Sequence, residues 1–327
     1  MSFISVLLAL LFEQVRPLGR GNPVHASLRA WVRWSTQNFD AGKPLHGWLA
    51  WCFAVGAPSL AALVIYWLLD AFVGWPLAVI WSVAVLYATL GFRQFSFHFT
   101  QIRDALADGD EDQARERLAE WQQMDASDLP HSEIVRHVIE HSVLSAHRHV
   151  FGVLAWFSVL AAFGFGPAGA VLYRLSEFVV RYWQHKSKAQ HQPVSEALQQ
   201  TATVAWAVID WLPARITSIS FAVVGSFEEA IDGWRNYEPR FSGDNDGIIL
   251  AATAGAVNIK LGDASSTAAY PADGPVATPP SANTPSESML GQAPELAHLA
   301  VIVGLVWRTV VMWMVLLALL TLARLLG

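Results

Sequence analysis

The sequence predicts an all-α fold, a polytopic membrane protein. Three observations predict it. Of its 327 residues, 54% are apolar and only 15% are charged, against roughly 25% charged in a soluble domain. Residues 47–69, 71–92 and 150–173 carry no charge at all, and a run of about 20 apolar residues crosses a bilayer. Tryptophan is abundant, and Trp48, Trp51, Trp67 and Trp75 lie towards the run ends, where interfacial aromatics collect. We expect about five or six membrane helices, some broken or re-entrant, and a cytoplasmic helical insertion.

The opening MSFISVLLALLFEQ lacks a positive start and a small-residue cleavage site. It reads as a short, half-buried helix that stays in the mature protein. Residues 47–69 and 71–92 are separated only by Asp70, with Gly74 and Pro76 just beyond. That spacing predicts a tight helical hairpin through the membrane. Cys52, the single cysteine, excludes an intrachain disulfide and a multi-thiolate zinc site. Its apolar neighbours predict a buried, inert thiol.

Residues 96–149 change character, becoming polar, charged and helix-periodic. Gly109 breaks the periodicity, and Ser127, Asp128 and Pro130 mark a new helix start. Two or three soluble helices are expected there. The run 150–173 is interrupted by Gly164, Gly166, Pro167 and Gly169, which suits a re-entrant segment. Residues 203–226 are apolar but include Asp210 and Arg215. Residues 263–296 are rich in Pro, Ser, Thr and Ala and read as a disordered linker. Residues 297–327 then form a C-terminal membrane helix whose apolar run, 299–323, has one internal charge, Arg308, free to dock flexibly or to contact a protein partner.

Arg16, Arg20, Arg29, Arg33 and Lys43 place the loop 13–45 in the cytoplasm. The hairpin then returns the chain to that side, with 96–149. A re-entrant fourth segment keeps Arg174, Arg181, Lys186 and Lys188 there too. The net charge of −6 argues against nucleic acid.

Three constellations could carry chemistry. HVIEH, His137 to His141, matches the inverted zinc-protease pattern. The alternative is a polar helix face in which Glu133, Arg136 and His137 pair at helical spacing; a lone short motif favours the latter, and no metal is expected. His147, Arg148 and His149 read either as an anion site or as interfacial side chains; the interfacial reading is favoured. Asp210 and Arg215 are the stronger signal, because ionisable groups in an apolar segment usually face a bundle interior or cavity. Pro213 between them leaves a helix carbonyl without its usual partner. A structural ion pair between the two is the alternative.

The stretch IDWLPARITSISFAVVG resembles the NWIPARLT signature of the CobD/CbiB family of cobalamin-biosynthesis membrane proteins. ARERLAEWQQMDASDLPHSEIVRHVIEHS, GPAGAVLYRL and NDGIILAATAGAVNIKLGD resemble other family segments, in family order. NPVHASLRAWV resembles its N-terminal H-P-V segment. The resemblance covers residues 1–262, and it makes HVIEH an overlay on a family helix. It implies an adenosylcobinamide-phosphate synthase, which joins a corrinoid propionate carboxyl to the amine of aminopropanol phosphate, using ATP and Mg²⁺. The corrinoid is then substrate, and the location is the bacterial inner membrane.

On that resemblance Glu140, Asp210 and Arg215 are the catalytic candidates, and Asp125, Asn245, Gly247 and Lys260 the ligand-binding ones; Pro213 also falls on a family position. Leu144, Ser145, Val180, Arg181 and Leu250 stand where the family has other, mostly polar residues. LLALLFEQVRPLG and VIDWLPARI also resemble AmpE, a membrane protein described as a signalling component. A non-catalytic regulator is therefore the alternative.

Overall fold

The computed structural model describes residues 2–16, 23–122, 124–189, 194–237, 244–262 and 291–326. Nearly all of them are helical. In chain order the helices are α1 (Ser2–Val15), α2 (Pro23–Phe39), α3 (Pro44–Trp51), α4 (Ala57–Phe72) and α5 (Trp75–Thr89). Then come α6 (Phe92–Ala107), α7 (Glu111–Gln122), α8 (His131–Ala146), α9 (Gly152–Ala162) and α10 (Ala168–Ala189). α11 (Glu196–Val224), α12 (Phe227–Tyr237), α13 (Asn245–Val257) and α14 (Leu296–Leu326) complete the chain. Single wide π turns, Cys52–Gly56 and His147–Phe151, join α3 to α4 and α8 to α9.

Among the described residues, four runs are long and apolar enough to cross a membrane: Pro44–Phe72, His131–Ala162, Glu196–Val224 and Leu296–Ala323. Phe3–Val15, Trp75–Thr89 and Asn245–Val257 are shorter apolar helices. The four runs differ in how much protein covers them. In His131–Ala162, 72% of the most apolar stretch is buried inside the protein; in Pro44–Phe72 the share is 22%. The first is largely covered by protein. The second leaves Leu60, Ile65, Leu68 and Phe72 exposed, which suits a lipid-facing surface rather than an aqueous one.

The chain divides into two compact units. The first comprises Met1–Arg93, His147–Pro213 and Trp313–Gly327. Its core gathers Val32, Ala54, Val55, Val179, Trp183, Leu198 and Ala202. The indole of Trp183 donates to Thr36 Oγ1 at 2.8 Å, and Asp40 accepts from the Ser195 amide at 3.0 Å. The predicted hairpin is present as α4 against α5, turning at Gly74 with φ +104. α5 is shorter than the charge-free run 71–92 suggests. Val73 and Gly74 are spent on the turn, and the helix stops at an extended Leu90.

The predicted break after Ala162 is also present. Gly164 and Gly166 take φ +82 and +53, a region that L side chains rarely adopt. Trp67 donates to the Gly164 carbonyl at 2.9 Å. A side chain at Gly166 would lie 2.5 Å from the Tyr66 ring, so the ring itself demands a glycine. α10 then packs back along α9.

The second unit comprises Gln94–Ala146 and Ala214–Met312. α7 and α13 pack on α8, and α12 packs closely on α13. Glycine sets that approach: a Cβ on Gly255 would sit 2.1 Å from the Glu229 carbonyl oxygen, and one on Gly233 2.7 Å from that of Ala251. Gly109, at φ +78, separates α6 from α7 as the sequence predicts.

Three expectations are corrected. α8 is no soluble surface helix: every residue from Ile134 to Glu140 is buried, and the chain continues through the π turn into α9. Periodicity in polar residues marked a helix but not its burial, because these polar groups pair with one another. Cys52 is exposed, since apolar neighbours on an outward-facing membrane helix do not imply a core. α14 is not peripheral along its length: Leu299, Ile302, Leu305, Val306 and Val310 are buried. Of the predicted linker 263–296, residues 263–290 lie outside the described residues.

Candidate functional site

α13 begins where its sequence says it should. Asp244 caps it, its Oδ1 accepting from the Gly247 amide at 3.0 Å, which satisfies one of the amides a helix start leaves unpaired. Its other oxygen, Oδ2, accepts from the Tyr237 hydroxyl at 2.7 Å. A Cβ on Gly247 would lie 2.0 Å from that hydroxyl. Gly247 is therefore the residue that lets Tyr237 reach Asp244. Burial first, then Asp244, raises the Tyr237 phenol well above its ordinary range, so it acts as a fixed donor.

Asn245 is the first residue of α13 and is buried. Its Oδ1 accepts from Arg215 Nη1 at 3.0 Å. The predicted Arg215 and Asn245, thirty positions apart, are thus brought together. Arg308 lies in the same unit and donates to the Val224 carbonyl at 3.2 Å.

Glu140 is buried on α8. Its Oε1 accepts from the Gly262 amide at 2.9 Å and stands 3.7 Å from Arg136 Nη1. The same guanidinium pairs with Glu133. Lys260 sits two residues before Gly262 in that tethered segment. Its side chain is exposed, and its amide donates to the Gln292 carbonyl at 2.9 Å. Glu140, Arg215, Asn245, Gly247 and Lys260 therefore all belong to the second unit.

Asp125, also in that unit, lies in an exposed turn. Its Oδ1 accepts from the Ser127 hydroxyl at 2.6 Å and from the Ser127 amide at 3.1 Å. These bonds, the hydroxyl first, hold its carboxyl below the ordinary value. The turn alone accounts for that carboxylate.

HVIEH does not converge on a point. The His137 carbonyl accepts from Gln122 at 3.0 Å, while the His141 ring meets Trp121 edge-on with centroids 4.4 Å apart. Glu133 and Arg136 pair as the helical spacing predicts. Among the described residues, no group of three or more His, Cys, Asp and Glu could hold a metal ion.

Asp210 belongs to the first unit and is fully buried. Its Oδ1 accepts from the Tyr173 hydroxyl at 2.8 Å and lies 2.9 Å from His147 Nε2. The favoured reading of His147 and Arg148 as interfacial side chains is corrected: both are buried. The partners of Asp210 come from α10 and from the π turn, 37 and 63 positions away, so no local pattern shows them. Gly152 makes room: a Cβ there would lie 2.1 Å from the Tyr173 ring. Tyr237, Asp244 and Tyr173 were not singled out in the sequence, and His147 was read as interfacial. Asp244 alone carried a local signal, as a capping Asp three before a Gly.

The family model described as CobD/Cbib protein matches residues 3–297. A Cobalamin biosynthesis protein CobD of Stutzerimonas stutzeri (strain A1501) is 30% identical over 324 residues, covering 96% of each chain. One from Chromobacterium violaceum is 32% identical over 219 residues, covering 63% of this chain and 64% of its own. One from Leptospira interrogans (serovar Lai, strain 56601) is 29% identical over 198 residues, 58% of each. No solved structure matches the chain. None of these relatives bears the AmpE name, so the signalling alternative gains nothing from them. With the family model spanning α1 to the start of α14, and a relative matching over nearly the whole length, this chain is a membrane protein of the CobD/CbiB family.

Proposed function

We propose that this chain forms the amide bond between a corrinoid carboxyl and the amine of aminopropanol phosphate, the adenosylcobinamide-phosphate synthase step, in a bacterial inner membrane. The carrying observation is the Arg215–Asn245 contact at the start of α13, within a chain that matches CobD/CbiB along most of its length.

The reaction needs three things from the protein. It must hold a phosphate, keep the amine deprotonated, and stabilise charge that develops at the carboxyl carbon. Arg215 is a fixed cation oriented by Asn245, suited to a phosphate or a developing oxyanion. The exposed Lys260 offers a second, mobile cation. Glu140 is the candidate base; its contact with the Gly262 amide fixes one of its oxygens. Asp210 supports the first unit through His147 and Tyr173. Asp125 is the weakest of the seven, because Ser127 already engages its carboxylate.

ATP, when bound, would activate the carboxyl by taking up the oxygen that leaves it. Among the described residues, Mg²⁺ would fit as a companion of phosphates. The described residues build no carboxylate cage, and Mg²⁺ commonly keeps several waters and takes one or two carboxylates alongside substrate phosphates. A protein partner for α14 is part of the same reading, on its exposed Leu319 and Leu320.

Complementation tests the proposal. The chain is expressed in a bacterium lacking its own aminopropanol-phosphate attachment enzyme, fed cobyric acid, and scored for cobalamin-dependent growth. Growth is the expected result. No growth from a correctly inserted wild-type chain overturns the proposal.

A further inference from the structure

Charge is unevenly spread along the start of the first unit. Between Glu13 and Asp70 the only acid is Asp40, against Arg16, Arg20, Arg29, Arg33 and Lys43. Asp40 is occupied within the fold: its Oδ2 accepts from the Ser195 amide at 3.0 Å, and its Oδ1 from the Gly42 amide at 3.3 Å. Arg29 and Arg33, both on α2, are exposed. Among the described residues, no carboxylate pairs with either of them.

α2 has two faces. Val32, Ser35 and Thr36 are buried, and Leu28, Trp31 and Phe39 pack against the core of the unit, the spacing of one helix face. Arg29 and Arg33 stand four apart on the other side, in line with the exposed Gln37. Beside Arg33, Trp34 is 46% exposed, yet its ring is seated. It stacks on Trp31 with centroids 5.4 Å apart and meets Phe53 at 5.6 Å. Trp31 in turn stacks on Phe53 at 5.1 Å, and its indole donates to the Ala54 carbonyl at 3.3 Å. α2 is thereby fixed to the apolar run Pro44–Phe72 at residues 53 and 54.

That attachment sets its level in the bilayer. At about 1.5 Å per residue the stretch from Phe53 to Phe72 is about 28 Å long, close to the roughly 30 Å of a hydrocarbon core. Trp67, Asp70 and Trp75 mark its far end. Phe53 and the Trp34 ring on it therefore stand at the opposite headgroup level, where tryptophan collects. Arginine binds phosphate through parallel hydrogen bonds, and anionic leaflets attract basic segments at this depth.

We propose that Arg29 and Arg33, with Trp34 beside them, form a binding surface for the headgroups of anionic phospholipids. The occupant is the bilayer itself, because a surface at this level already meets headgroups. The inference is independent of the synthase reading, whose cations are Arg215 and Lys260, and its test involves no turnover.

Cys52, the single cysteine, is exposed and adjoins Phe53, so a fluorophore on it reports the lipids beside α2. The full chain, labelled there with nitrobenzoxadiazole, is placed in phosphatidylcholine vesicles. An equal small fraction of nitroxide-labelled phosphatidylglycerol or nitroxide-labelled phosphatidylcholine is then added, and quenching is compared in dilute and in molar salt. The expected result is stronger quenching by phosphatidylglycerol, lost in molar salt. Arg29→Gln and Arg33→Gln each lower the preference about fivefold, and the double variant equalises the two lipids. Arg29→Lys/Arg33→Lys keeps most of the preference, and Arg103→Gln/Arg117→Gln, which removes two exposed cations elsewhere, leaves it unchanged. Should the double Gln variant fail to insert, the single variants and the salt series decide. Equal quenching of the wild type by the two lipids overturns the proposal, as does a preference that survives loss of both arginines or falls as far in the Arg103/Arg117 control.

Discussion

The indole Nε1 of Trp156 donates to the carbonyl of Ile209 at 2.9 Å, and Ile209 stands four residues before Pro213. Proline has no N–H, so that carbonyl lacks its usual helical partner. Trp156, on α9, supplies the missing donor. α11 accordingly runs unbroken from Glu196 to Val224 with Pro213 inside it. Trp156→Phe keeps the ring but removes the donor, and should cost about 1 kcal/mol. Thermal unfolding in detergent checks it; no shift would mean that another group serves the carbonyl.

The His147–Asp210–Tyr173 cluster makes a larger demand. Asp210→Ala leaves His147 and Tyr173 buried without their acceptor, and should destabilise by about 3 kcal/mol or more. Tyr173→Phe removes one donor and should cost about 1–2 kcal/mol. Denaturation of the purified variants separates the two. Equal costs would contradict a network centred on the carboxylate.

Close packing of α12 on α13 predicts a third result. Gly255→Ala places a methyl group 2.1 Å from the Glu229 carbonyl, and backbone cannot yield as a side chain does. The expected cost is about 1–3 kcal/mol. The start of α13 should be disturbed with it, so any corrinoid turnover should fall as well.

On α10 the buried Glu177 pairs with Arg174 and Arg181, and acid should weaken that pairing in a defined window. Burial pushes its carboxyl up, but Arg174, Arg181, His149 and Arg148 outweigh burial and bring it from 4.5 down to about 2. A carboxyl lowered on folding contributes its stability in full above its ordinary value, and loses it as pH falls through the folded one. The stability gap between wild type and Glu177→Gln should therefore narrow as pH falls from 4.5 towards 2. A gap that stays constant would show that the pairing is not ionic.

Much of this fold is legible in the sequence. The charge-free run 47–69 and the nearly charge-free runs 203–226 and 299–323 marked three of the four long apolar runs, Gly74 and the glycines at 164 and 166 marked the turns, and Pro130 marked the start of α8. Partners were harder to read. Asp210 and Arg215, five residues apart in one apolar helix, look like a pair, yet each is satisfied by a distant element: His147 and Tyr173 for one, Asn245 for the other. A helix sequence shows which side chains need partners, because burying a charge is costly. It does not show who provides them. Burial of α8 was missed for a related reason, since Glu133, Arg136 and Glu140 neutralise one another and read as a solvated face.

α14 offers a further check. Its Leu299, Ile302 and Leu305 are buried, and in a membrane such close packing is what a helix contributes to its neighbours. Truncation after residue 295 should therefore lower the amount of folded protein in the membrane. An inserted, monodisperse truncated chain would make the helix dispensable.

The central claim is that Arg215, held by Asn245, serves amide formation. The most direct measurement is complementation of the attachment-deficient strain by wild type and by Arg215→Ala, with membrane insertion of both verified. The account predicts cobalamin-dependent growth from the wild type and none from the variant. Growth from both would remove Arg215 from the chemistry, and growth from neither would contradict the synthase reading itself.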